Sequence, residues 1–222
     1  MRWNDLAFLH WAVDPKVLEL QLPTGVPLDT YDGKAWLGIT PFEMSGTRPR
    51  FLPPLPGLST FPELNVRTYV TIDSKPGIWF FSLDADNRVA VQAARLGFCL
   101  PYKSAKMAIQ RAGGTFEYQS FRRGSVQRAD FVARYGPTGD VFRTVPGSLE
   151  HWLTERYCLY VSCRGRICRG EIHHAPWPLQ EAKVEIEQNT MATAQGLDLC
   201  PEPDLVHYSK RLDVVGWYLT PA

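Results

Sequence analysis

Glu63-Leu64-Asn65-Val66-Arg67-Thr68-Tyr69-Val70 is the stretch from which the rest of the chain is best read, because side chains alternate across an extended strand. Glu63, Asn65, Arg67 and Tyr69 share one face, while Leu64, Val66 and Val70 take the other. One face is a carboxylate, an amide, a guanidinium and a phenol in a row. If the apolar face packs on the core, the row meets solvent, where charged side chains usually lie. If the sheet closes on itself with helices outside, the row points inward and lines a polar pocket. An inward Arg67 needs a partner, most simply Glu63 or a ligand carboxylate, because an isolated buried charge is too costly. The position of the row just after a proline-rich segment favours the pocket.

Working outward, period-2 alternation marks strands over Leu6–Val13, Ala35–Met44, Leu64–Ile72, Gly77–Leu83, Thr115–Arg122, Val126–Tyr135, Tyr157–Cys163, Arg166–His173, Ala182–Glu187 and Leu212–Tyr218. Asp14-Pro15 supplies an N-cap and a first-turn proline for a short helix ending near Leu20. A second helix fits Asn87–Gly97, and a third runs from a Ser148 cap to about Thr154. Arg48–Pro62 holds five prolines without alternation and reads as a long extended loop. Helices interrupting a meander of mostly antiparallel strands give an α+β class, and so many short strands suggest a closed β-barrel or cone with a few peripheral helices.

Composition narrows the function by exclusion. The chain has 222 residues, a length that favours one domain over 1–222. Its 24 Lys and Arg against 23 Asp and Glu leave a net charge of +1, which offers no electrostatic reason to expect nucleic acid or an anionic membrane. No apolar run reaches membrane-helix length, and the first residues lack the apolar segment of a signal peptide. Five cysteines, an odd number, argue against a disulfide scaffold, so the chain reads as cytoplasmic. There is no G-x-S-x-G elbow, no G-x-G-x-x-G, no phosphate loop and no H-E-x-x-H. The sequence implies no cofactor.

Other groups of residues can carry chemistry. In Leu100-Pro101-Tyr102-Lys103-Ser104-Ala105-Lys106-Met107, the two lysines lie on one side if the stretch is helical, and each then lowers the other's pKa. A lysine so depressed can form a Schiff base with a carbonyl substrate. Two exposed lysines at a turn are the plainer reading. In Glu171-Ile172-His173-His174 the histidines point to opposite faces, and His173 shares the face of Glu171. Cys163 and Cys168 with His173 lack the short paired spacing of a zinc site, so no metal is expected. Those cysteines flank a hairpin turn at Arg164-Gly165-Arg166 and read as free, packing as small hydrophobes. Glu155 and Arg156 read as ion-pair material, and His10, among apolar neighbours, as a satisfied core histidine. His207 has no partner for a triad beyond Asp204.

Trp3-Asn4-Asp5-Leu6 through His10-Trp11, Tyr31-Asp32-Gly33, Ala35-Trp36-Leu37-Gly38, Glu63-x-Asn65-x-Arg67-x-Tyr69, Pro76-Gly77-Ile78-Trp79-Phe80, Leu100-Pro101-Tyr102, Leu153-Thr154-Glu155-Arg156-Tyr157 and His174-x-Pro176-Trp177-Pro178 together resemble the uncharacterised bacterial YqjF-like (DUF2071) family. The resemblance spans nearly the whole chain. It implies a fold similar to acetoacetate decarboxylase, with an internal cavity, and it favours the inward reading of the Glu63 to Tyr69 row. The family pattern after Leu100-Pro101-Tyr102 does not ask for lysine, which weighs against Schiff-base chemistry.

The expectation is a small-molecule-binding protein whose cavity is lined by Glu63, Asn65, Arg67 and Tyr69, with Glu155 and His174 contributing. Arg67 holds a ligand carboxylate in a bidentate grip, and Glu63 acts as general acid or base. The enzymatic version is a decarboxylase-like or other lyase, strengthened if Lys103 or Lys106 faces the cavity. The alternative is a non-catalytic binding or sensing protein with the same cavity.

Overall fold

The computed structural model describes residues 1–48, 59–87, 89, 91–92 and 99–222. The strands are β1 (Arg2–Val13), β2 (Ala35–Ser45), β3 (Phe61–Ile72), β4 (Lys75–Ala85), β5 (Tyr102–Ala112), β6 (Thr115–Arg122), β7 (Asp130–Pro137), β8 (Cys158–Cys163), β9 (Arg166–His174), β10 (Gln180–Asn189), β11 (Leu205–Gly216) and β12 (Thr220–Pro221). Two short helices, α1 (Pro15–Glu19) and α2 (Leu149–Thr154), and a 3-10 turn at Thr193–Gln195 complete the described elements. The architecture is mostly β with few helices, as the expectation of a mostly antiparallel sheet with a few peripheral helices has it. The helix expected over Asn87–Gly97 and the proline loop expected over Arg48–Pro62 lie largely outside the described residues.

The sheet runs β12-β9-β8-β4-β3-β2-β1-β11-β10-β7-β6-β5, and further pairings join β9 to β11 and β4 to β5. The order therefore returns on itself on both sides of the β4-β3-β2-β1-β11 run. Pairings are antiparallel except β4–β5 and β4–β8. Three hairpins turn through two residues of positive φ: Asp73-Ser74, Gly113-Gly114 and Arg164-Gly165. Such turns twist in the sense of the strands they join. At α1, the Asp14 carboxylate accepts from the Lys16 N–H at 3.0 Å and Pro15 opens the helix. Ser148 caps α2 by accepting from the His151 N–H at 3.2 Å.

Both faces of β3 are buried. Leu64 and Val66 join Leu9, Trp11, Leu37 and Ile39 in the largest apolar cluster. The opposite face carries Glu63, Asn65, Arg67 and Tyr69, at 2, 5, 6 and 0% exposure. A bulge in β1 between Asn4 and Leu9 puts Trp3 on the side of Leu6, Phe8 and His10. The bulge is held at Asp5, whose φ is 50°. Its carboxylate accepts from Tyr208 at 2.9 Å and from Arg111 at 2.8 Å, and its carbonyl accepts from Tyr135 at 2.7 Å.

Two sequence expectations are corrected. Tyr102–Ala112 is a strand, paired with β6 from Ala105–Arg122 to Ala112–Thr115, so the helical spacing of its lysines does not apply. Cys163 is not free: it is disulfide-bonded to Cys99, with Cα atoms 5.4 Å apart. It ends β8 just before the Arg164-Gly165 turn, which brings it beside Cys99. Cys168 remains free and half-buried.

A buried ion pair fixes β4 to β6. Arg122 donates to both oxygens of Asp84 at 2.9 and 2.8 Å and to Ser82 at 2.8 Å, with side-chain exposures of 6% for Arg122 and 0% for Asp84. Removing one partner of such a pair leaves an uncompensated charge. Arg122→Met is therefore expected to cost about 3–5 kcal/mol at neutral pH. Calorimetry should read this as a fall in Tm on the order of 10 °C.

Candidate functional site

Cross-strand register sets out the inner face of β11, β1, β2, β3 and β4 in three layers. The first runs Leu205, His10, Gly38, Arg67 and Phe80; in the second His207 pairs with Phe8 and Thr40 with Asn65 and Leu83; in the third Ser209 pairs with Leu6 and Phe42 with Glu63 and Ala85, the β1 bulge interrupting the β1–β2 pairing of these last two layers. Polar groups recur in every layer of a buried surface. Several have no hydrogen-bond partner among the described residues: His10 Nδ1, Thr40 Oγ1, Asn65 Oδ1, Arg67 Nε, His207 Nδ1, Ser209 Oγ and Trp36 Nε1. Buried polar atoms in folded proteins are normally satisfied by protein, water or ligand.

Arg67 stands out by its charge. Its guanidinium lies 5.1 Å from the Phe8 ring centre and 5.8 Å from that of Tyr69. No carboxylate among the described residues forms an ion pair with it. Gly38 makes room for this placement: a Cβ there would sit 3.2 Å from Arg67 Cγ and 3.3 Å from both Arg67 Nε and His10 Cδ2. His10 is fully buried, with Nε2 2.6 Å from the Tyr69 hydroxyl. Burial first, then Arg67 and His207, hold its pKa well below the usual histidine value, so it is neutral at pH 7. Burial also raises the Tyr69 phenol, against the opposing pull of Arg67 and Arg156.

Glu63 does not pair with Arg67, contrary to the simplest sequence expectation. Its Oε2 accepts from the Tyr102 hydroxyl at 2.7 Å, and its backbone carbonyl accepts from Tyr118 at 2.6 Å. Burial pushes its pKa from 4.5 to about 8, with Asp84 adding to the rise and the Tyr102 hydrogen bond opposing it. Glu63 and Arg67 are four positions apart along the strand, roughly 13 Å of extended backbone. The row therefore has an acid at one end and a cation at the other.

Glu155 and His174 belong to a neighbouring knot. Glu155 accepts from the Trp177 N–H at 2.8 Å and from the Tyr157 hydroxyl at 2.6 Å. His174 is buried, stacks on Tyr157 at 4.6 Å and packs against Trp177 at 5.4 Å. Trp177 in turn meets Phe8 edge-on at 4.8 Å. The two residues thus position Trp177 against the row rather than joining it. Lys103 and Lys106 are exposed on β5. A shallow depression of about 300 Å³ lies elsewhere, over β6, β7 and β10 beside Glu117, Gln119, Arg134 and Glu185.

Sequence reading missed His10 as a member of the row, along with Thr40, His207, Ser209 and Arg156. Arg156 is buried, donates from Nε to the Trp152 carbonyl at 2.6 Å and from Nη1 to Asp29 at 2.8 Å, and lies 5.1 Å from the Tyr69 ring. Register across strands brings His10, Thr40, His207 and Ser209 together, and the segment after α2 carries Arg156 to Tyr69.

The matching family model, that of the uncharacterised conserved proteins DUF2071, covers residues 1–213. This chain belongs to the DUF2071 family. It is 46% identical over 217 residues to the uncharacterised protein YqjF of Bacillus subtilis (strain 168), spanning 98% of this chain and 89% of that protein. Among solved structures, the DUF2071 chain is similar to acetoacetate decarboxylase from Legionella pneumophila, with a TM-score of 0.63 and 14% identity over 100% of this chain and 86% of the other. The enduracididine biosynthesis enzyme MppR, solved with a condensation product of pyruvate and imidazole 4-carboxaldehyde, gives a TM-score of 0.67 at 14% identity, covering 98% and 87%. An acetoacetate decarboxylase-like enzyme from Sphingomonas wittichii RW1 gives 0.61 at 16% identity, covering 100% and 92%. The fold of this DUF2071 member is that of acetoacetate decarboxylase. No described helix is long and apolar enough to cross a membrane.

The raised Glu63 carboxyl has a measurable consequence. The folded protein holds this proton more tightly than the unfolded chain does, so the stability that Glu63 contributes falls as pH rises from 4.5 through about 8. The slope is at most about 1.4 kcal/mol per pH unit. Glu63→Gln lacks this proton, and its Tm is expected to gain on the wild type across that window. Parallel pH profiles for the two proteins would contradict a buried, protonated Glu63.

Proposed function

We propose that this DUF2071 protein binds a small organic acid in an enclosed, barrel-like cavity within a single domain, with Arg67 gripping the carboxylate. The observation that carries this reading is the Arg67 guanidinium, 6% exposed and unpaired with any described carboxylate. A buried cation without a counter-charge is costly, and a planar bidentate anion is the ligand its geometry suits. Tyr69 and His10 complete the surroundings of that carboxylate, Asn65 lines the next stretch of the cavity, and Glu155 and His174 support the cavity through Trp177. The fold likeness to enzymes solved with pyruvate-derived molecules agrees in kind.

A lyase reading is second. Glu63, protonated near neutral pH, would then deliver a proton to the bound acid. A Schiff-base route through Lys103 or Lys106 has little support, since every lysine from Lys16 to Lys210 is exposed. Non-catalytic binding or sensing needs only Arg67 and the cavity, and it is the reading that asks least of the residues.

Thermal-shift measurements with a panel of small carboxylic and oxo acids test the proposal. At a ligand concentration about 100 times Kd, the gain is about 2.7 kcal/mol. A specific acid is expected to raise Tm in the wild type and to lose the effect in Arg67→Ala. Gly38→Ala, which pushes Arg67 aside, should weaken it. A shift unchanged in Arg67→Ala would remove Arg67 from the site. Borohydride treatment with the same oxo acids should give no lysine adduct; an adduct would restore the Schiff-base route.

A further inference from the structure

Away from Arg67, the same inner face carries a second group of buried polar atoms with no charge among them. His207 and Ser209 on β11, Thr40 on β2 and Asn65 on β3 are 6, 0, 0 and 5% exposed. His207 Nδ1, Ser209 Oγ, Thr40 Oγ1 and Asn65 Oδ1 all lack a hydrogen-bond partner among the described residues. Register places His207 opposite Phe8, and Thr40 directly beside Asn65. Aromatic side chains flank the group: Phe142 meets the His207 ring edge-on at 6.0 Å, and Trp177 covers Phe8. Apolar walls with a few convergent, unsatisfied polar groups are what a small-molecule site requires.

The charges of this face limit the ligand. Arg156 is offset by Asp29 at 2.8 Å. His10 and His207 are held neutral chiefly by burial, and Glu63 is protonated near neutral pH. Arg67 is left as the one uncompensated charge among these groups. A single anionic group balances it, whereas a second would enter a buried site with no cation to meet it. An alkyl chain laid over Thr40, Asn65, His207 and Ser209 would strip water from four polar groups and return no hydrogen bonds.

We infer that these residues form a neutral subsite, and that the acid is a monocarboxylate carrying hydroxyl or carbonyl oxygens remote from its carboxylate. This inference rests on the carboxylate reading of Arg67. His207 and Ser209 are then specificity-determining residues: they recognise oxygens on the carbon chain, and Arg67 recognises its acidic end. A site built to hydrogen-bond a hydroxyl rejects the analogue that lacks it far more strongly than an apolar pocket rejects an added one.

Isothermal titration of the full chain with matched acids tests this. Suitable pairs are hexanoate against gluconate, and butanoate against 3,4-dihydroxybutanoate. The oxygenated member of at least one pair is expected to bind at least about tenfold tighter. That preference should shrink in Ser209→Ala and in His207→Phe, while Arg67→Ala abolishes binding of both members. Ser209→Ala removes only a hydroxyl, so it keeps the test informative if His207→Phe folds poorly. Equal binding of both members, still lost in Arg67→Ala, would overturn the neutral subsite and leave the carboxylate reading standing. A preference unchanged in both variants would overturn it as well. Absence of binding by every acid, or binding undiminished in Arg67→Ala, would overturn the carboxylate reading and this inference with it.

Discussion

A guanidinium taken out of water with no carboxylate beside it is the constraint around which the inner face of β1 to β4 is organised. Desolvating such a charge costs several kcal/mol even after relaxation. The protein offsets part of this with aromatic faces: Phe8 at 5.1 Å and Tyr69 at 5.8 Å from the Arg67 guanidinium carbon. Gly38 opens the space across which the side chain lies, and the bulge at Asp5 brings Trp3 to the same side. Tyr69 is engaged in turn by His10 and by Arg156. Sequence, local geometry and packing thus converge on one side chain that the protein itself leaves without a counter-ion among the described residues.

The other buried charges are handled differently. Arg122 is matched bidentately by Asp84, and Arg156 pairs with Asp29 through Nη1. Glu63 and His10 meet burial by losing their charge rather than by pairing. Arg67 follows neither course, because a guanidinium does not give up its proton in a protein. That contrast is the physical reason for reading the row as a ligand site rather than as a structural polar core. On the proposed reading it also separates the roles along β3, with the ligand's anionic group at the Arg67 end and a proton donor at the Glu63 end.

Much of the fold was legible in the alternation of apolar and polar residues, but not all of it. Strands with one conventional apolar face, such as Thr115–Arg122, were read to the residue. Strand β5 was missed because Lys103, Ala105, Lys106, Met107 and Ala108 are good helix formers, although the Gly113-Gly114 turn that ends it was available as a hairpin signal. Strand β11 begins at Leu205, seven positions before the expected start, because inward-facing His207 and Ser209 break the expected pattern. The same cause hid half of the candidate site. Glu63, Asn65, Arg67 and Tyr69 lie on one strand and could be grouped by parity alone. His10, Thr40, His207 and Ser209 come from three other strands, and only the cross-strand register joins them. Lys103 and Lys106 looked chemically promising at helical spacing, and the strand conformation leaves both in solvent.

The claim that Arg67 is an anion site is tested most directly by a crystal of this protein soaked in bromide and measured at the bromine absorption edge. The account predicts an anomalous peak within hydrogen-bonding distance of Arg67 Nε, in the enclosed space behind Phe8 and Tyr69. Bromide bound at surface cations, with water or a protein carboxylate filling the space at Arg67, would contradict it.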